Sequence, residues 1–278
     1  MRLNDGHGAW PLGRRARRGE VSDTSSAAGV VRAGGCAVWA LPPEARCAGV
    51  AREAVGETLG ALRLPEGMVD DAVTMVSELA TNVFVHALGG RPLPTMPTAG
   101  LPEVQIYVRK QGAEVVVRVF DCAAWCGTVP TRANLRPPPE AEGGRGLELV
   151  NALTVEHRGR WGAHRSRSQT GSVPVSGKVV YFALPAVAWC PPRRDCLKAV
   201  RELRRLLDAR GIGPLQLGEG WRMAVLSVRA EITVWVRDET FFVTLPDGGA
   251  LHPVCDVVAV AEEIVRCNED LDARSVKK

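Results

Sequence analysis

Apolar residues recur along this chain with two periods. They fall at Ala51, Val55, Leu59 and Leu62, then at Val69, Val73, Val76, Ala80 and Val83. Spacing of three to four residues predicts two helices, separated by Pro65-Glu66-Gly67 and stopped by Gly89-Gly90. A period of two takes over at 104–109 and 114–120, with a turn at Gln111-Gly112. Val115, Val117 and Val119 alternate there with Val116 and Arg118, the pattern of a half-buried antiparallel strand. A short apolar run at 36–41, ended by Pro42-Pro43, predicts an earlier strand. A helix over 147–153, a strand near 154–160, a polar hairpin connection over 163–176 and a closing strand at 178–184 complete this part. Beyond residue 193, Cys196, Val200, Leu203, Leu206 and Leu207 predict an amphipathic helix ended by Gly211. Three alternating strands (223–228, 232–236 and 240–245) and a helix over about 257–267 follow.

The polar segments divide the chain. Residues 1–33 are rich in Gly, Arg and Ser without periodicity and read as a disordered tail. The stretch 91–102 holds four prolines and is a loop. The irregular, Pro-rich stretch 121–142 is longer than most loops and suits a lid. Cys190-Pro191-Pro192 lies in a linker over 189–193. The expected organisation is one domain at 34–188, a small αβββα module at 194–270 and a tail at 271–278.

Composition narrows the function. The 278 residues are 46% hydrophobic and 24% charged, as in ordinary globular proteins. No apolar run approaches the roughly 20 residues that span a bilayer, so no membrane association is expected. Arg14, Arg15, Arg17 and Arg18 are not followed by the apolar stretch of a secretory signal, which predicts a cytoplasmic protein. The net charge of +4 is mild, and the 5% of aromatic residues do not interleave with basic ones. No direct contact with nucleic acid is expected. The eight cysteines form no Cys-x-x-Cys pair and the histidines lack zinc-ligand spacing; Cys122 and Cys126, the closest pair, are expected to be reduced.

Three features carry chemistry. Glu78 and Asn82 stand four apart, one turn above the other on a helix face, and His86 continues the stripe. A carboxylate beside an amide suits a hydrated Mg²⁺, with the Asn oxygen as a ligand and the Glu orienting water or accepting a proton. The run Gly143-Gly144-Arg145-Gly146-Leu147 opens a helix after a long loop. Its glycines admit close backbone approach, the helix start offers free N–H donors, and Arg145 supplies charge for phosphate oxygens. Asp121 ends an apolar strand, where its carboxylate could accept a hydrogen bond from an exocyclic amine. Each feature alone also fits a solvated helix face, a plain turn or a strand-ending Asp.

Their order, from acidic/amide helix through two strands, an Asp and a lid to a Gly-rich helix start and closing strand, resembles the GHKL (histidine kinase-like) ATPase superfamily. More closely it resembles the actinobacterial anti-sigma-factor serine/threonine kinases. The resemblance covers about residues 34–188, with the run from Ser77 to Ala87 as the N-box. It implies a Bergerat ATP-binding fold, a two-layer α/β sandwich with a mixed, mainly antiparallel sheet under helices. It further implies Glu78 as catalytic base, Asn82 as Mg²⁺ ligand, Asp121 on the adenine amine, and Gly143, Gly144, Arg145, Gly146 and Leu147 around the phosphates of ATP. Two positions depart from the family: Ala123 stands where a Gly is usual, and Val179 where a Thr is frequent. The implied function is a kinase that phosphorylates a small antagonist protein, holds a sigma factor, or both. The alternative is an ATP-sensing module without chemistry. A detached histidine-kinase domain is disfavoured because no phosphoacceptor-histidine helix is present. Residues 194–270 lie outside the resemblance and read as an interaction or dimerisation module, which leaves a homodimer open.

Overall fold

The computed structural model describes residues 26–91, 100–111, 113–123, 145–186 and 195–275. The chain enters through a short helix α1 (Ala27–Arg32) and strand β1 (Ala37–Ala40). Helices α2 (Cys47–Ala61) and α3 (Glu66–Asn82) follow, and a π-helical turn, Val83–Ala87, extends α3. Strands β2 (Glu103–Arg109) and β3 (Glu114–Asp121), helix α4 (Arg145–Glu156), and strands β4 (Arg160–Arg167) and β5 (Ser176–Pro185) complete the first unit. Its five strands lie in the order β1-β2-β3-β5-β4. Every neighbouring pair is antiparallel.

The second unit runs α5 (Cys196–Ala209), a five-stranded antiparallel meander and α6 (Val257–Ser275). Its strands are β6 (Gln216–Gly220), β7 (Met223–Arg229), β8 (Ile232–Arg237), β9 (Thr240–Leu245) and β10 (Gly248–Pro253). The Asp195 side chain caps α5, accepting from the backbone N–H groups of Leu197 and Lys198 at 2.9 and 3.2 Å.

Alternation along β3 explains how the layers stack. Val115, Val117 and Val119 join Leu59, Met75, Val76 and Leu79 in a core beneath α2 and α3. Val116, on the opposite face, packs with Tyr107, Ala183 and the buried residues of α6. Strand β3 is therefore buried on both sides rather than half-buried, because α6 lies between the two sheets. Helix α6 is buried almost all round from Val257 to Val265, as an interlayer helix must be.

Charge as well as packing holds α6 there. The buried Glu262 on α6 forms an ion pair with Arg118 of β3 at 2.5 Å and accepts from Arg210, at the end of α5, at 2.6 Å. Both arginines also donate to the Ser166 hydroxyl on β4, at 3.1 and 2.9 Å. Burial favours the protonated acid, but the two guanidinium groups overcome it and hold the carboxyl of Glu262 down at about 2. Removing one partner of such a network leaves an uncompensated charge, at about 3–5 kcal/mol.

Several boundaries differ from the sequence expectations. Residues 27–32 are helical rather than part of a disordered tail, and Val31 is fully buried. No strand runs over 154–160. Helix α4 continues to Glu156, the chain turns through Arg158 at φ 55°, and β4 occupies what was expected to be hairpin. Gly159 permits that turn: a β-carbon there would lie 2.3 Å from the Ala183 carbonyl oxygen. The C-terminal meander has two more strands than expected, since the Gly-rich β6 and β10 carry little alternation. The Arg14–Arg18 cluster, nearly all of the expected lid and the expected linker lie outside the described residues.

Candidate functional site

Glu78 and Asn82 sit on the last turns of α3, both half-buried. The helix then widens into the π-helical turn, a distortion frequent at functional sites, and His86 within it is exposed. Two anchors fix α4 along α3. The Thr154 hydroxyl lies 3.4 Å from the Met75 sulfur, and His157 Nε2 is 2.7 Å from Asp71 Oδ2. On the other flank Arg52 of α2 donates to the Ser77 hydroxyl at 2.9 Å, beside Glu78.

That docking brings the N-terminal turn of α4 onto the end of α3. A β-carbon added to Gly146 would stand 2.7 Å from Glu78 Oε2 and 3.5 Å from Asn82 Nδ2. Gly146 and the carboxylate/amide pair, more than 60 residues apart in the chain, therefore lie side by side. The free N–H groups and positive dipole end of α4 belong to the same corner. Arg145 is exposed at the first position of α4. Leu147 is half-buried and packs into the core beneath α3, so it anchors the turn. Gly143 and Gly144 lie outside the described residues.

Asp121 occupies the end of β3. By alternation from Val115, Val117 and Val119, its side chain lies on the helix-covered face of the sheet. The carboxylate is buried, and its Oδ1 accepts from the Ala123 backbone N–H at 2.9 Å and pairs with Lys178 Nζ at 3.5 Å. Burial pushes the Asp121 carboxyl upward, while the Lys178 ammonium pulls it back. Close approach of β5 makes this pairing possible. A β-carbon on Gly177 would lie 2.2 Å from the Asp121 carbonyl oxygen and 2.8 Å from the Phe120 ring.

The register changes the reading of one departure. Asp121 is opposite Lys178, and Phe120 is opposite Val179. Val179 therefore lies on the face turned away from the Asp121 carboxylate. The position on the Asp121 face is Val180, which likewise has no hydroxyl. Lys178 escaped the sequence reading because only the register of β5 on β3 places it beside Asp121.

Among the described residues no three His, Cys, Asp or Glu side chains gather as a metal site. A cation here would rely on Asn82, phosphate oxygens and water, the set magnesium prefers. No described helix is long and apolar enough to cross a membrane. A comparison with curated proteins gives no match. Residues 41–170 match the family model described as the histidine kinase-like ATPase domain, and the matched segment contains Glu78, Asn82 and Gly146.

Proposed function

We propose that this chain binds ATP with Mg²⁺ between the Glu78–Asn82 face of α3 and the glycine run at the start of α4, and acts as a regulatory serine/threonine kinase. The observation that carries this reading is the placement of Gly146 beside both Glu78 and Asn82. A side chain at 146 would press on the Glu78 carboxylate, so glycine there keeps that group in place beside the start of α4.

Each residue then has a definite task. Asn82 would offer its side-chain oxygen to the cation, and Arg145 with the first N–H groups of α4 would bind phosphate oxygens. Asp121 accepts a hydrogen bond from the adenine amine. Magnesium, when bound, offsets the charge of the triphosphate. Glu78 receives the proton of an incoming serine or threonine hydroxyl. As the new O–P bond forms, the bond from the γ-phosphorus to the β,γ-bridging oxygen breaks, and ADP leaves with that electron pair. The acceptor is a small antagonist protein, and the same surface would hold a sigma factor until that antagonist binds.

Incubation with labelled ATP and candidate antagonist proteins tests this. Transfer that disappears in Glu78→Ala is expected; absent transfer, or transfer indifferent to that change, removes the kinase assignment. A second reading, ATP sensing without chemistry, is favoured by Ala123 and by the Lys178 ammonium, which already engages Asp121. Tight nucleotide binding with no turnover would select it.

A further inference from the structure

The outer face of the C-terminal meander presents an apolar row that crosses all five strands in register. Leu251 pairs with Phe242, Phe242 with Trp235, Trp235 with Val225, and Val225 with Gly218. Leu251, Phe242 and Trp235 are 57%, 42% and 45% exposed, and Trp221 in the β6–β7 turn is 91% exposed. The inner face differs: Leu226, Val234 and Val243 are buried there in the core shared with α5 and α6. Sheets normally expose polar residues on the face opposite their core. Contiguous apolar surface of this kind marks an interaction site.

Two properties select the occupant. By strand alternation, among the described residues, no acidic strand side chain stands on this face, and its only strand cation is Arg237 in a flanking row, which pairs with Asp238 at 3.0 Å. A polyanion would find one already neutralised charge, whereas a second copy would bring only Arg237, paired with Asp238, against its own counterpart. The row is also graded in size from Leu251, Phe242 and Trp235 down to Val225 and Gly218. Consider a second copy rotated by a half-turn about an axis between the faces, parallel to β8. It opposes Phe242 to Val225 and Leu251 to Gly218, so large side chains meet small ones, while Trp235 meets Trp235.

We propose that this face is a homodimer surface, joining two chains sheet to sheet about a two-fold axis near Trp235. Five strands about 4.8 Å apart and three outward positions per strand give a footprint of roughly 24 by 17 Å, about 400 Å² before side-chain relief. That is below the roughly 600 Å² per partner at the low end of specific interfaces, which fits a weak, transient dimer.

Sedimentation of the full chain from about 1 to 100 µM tests this. The expected result is a monomer–dimer equilibrium that Phe242→Glu and Trp235→Glu shift at least tenfold toward monomer. Circular dichroism confirms that the variants are folded, and Leu251→Glu, on an edge strand, provides a variant with little folding cost. Wild-type chain that stays monomeric throughout overturns the proposal, as does a dimer indifferent to folded variants. An oligonucleotide that binds wild type and not Trp235→Glu would assign the face to nucleic acid and overturn it equally.

Discussion

Gly146 lies beside Glu78: a β-carbon added at 146 would stand 2.7 Å from the carboxylate oxygen Oε2. The atom it would meet is the mobile end of a side chain, so an alanine would displace the carboxylate rather than the fold. Alanine also favours a helix over glycine by about 0.5–1 kcal/mol. Gly146→Ala should therefore leave thermal stability unchanged or slightly raised, while transfer or ATP affinity falls about 10- to 100-fold. Thermal melting beside an ATP titration separates the two effects, and a parallel loss of both would contradict the contact.

Gly177 should behave oppositely. Its missing β-carbon would meet the Asp121 carbonyl and the Phe120 ring, neither of which can swing aside. Gly177→Ala is expected to cost about 3 kcal/mol by forcing β5 from β3. Urea unfolding would measure that loss, and unchanged stability would show that β5 does not pack closely against β3 at this position.

Glu262 binds the two units through Arg118 and Arg210. Glu262→Gln leaves two buried guanidinium groups without a counter-charge and should destabilise the chain by about 3–5 kcal/mol. Chemical denaturation checks this; a cost below about 1 kcal/mol would place the network in water instead.

His164 makes acid stability measurable. Burial, helped by the positive charge of Arg118, drives it from 6.5 down to about 4. The unfolded chain takes up this proton near 6.5 and the folded chain only near 4, so the stability present above 6.5 drains away between those values. His164→Gln should flatten the stability–pH profile in that window. Glu262 acts lower: its contribution is present above 4.5 and is lost as the pH falls toward about 2. A profile unchanged between pH 6.5 and 4 in His164→Gln would show that this imidazole is solvated.

Local pattern determined much of this protein. The three- and four-residue spacing of Val69, Val73, Val76 and Ala80 required a helix with Glu78 and Asn82 on one face, and the Val-rich alternation required β3, with Asp121 at its end. These follow from side-chain periodicity, a short-range property. The approach of Gly146 to Glu78 was decided only by the docking of α4 on α3, and Lys178 reached Asp121 only through strand register. The second buried face of β3 likewise could not be read from its own residues. The helix that covers it, α6, begins more than 130 residues later, and its Glu262 finds its arginines only when both sheets have packed. Contacts between distant segments depend on how whole layers stack, and no local spacing encodes that.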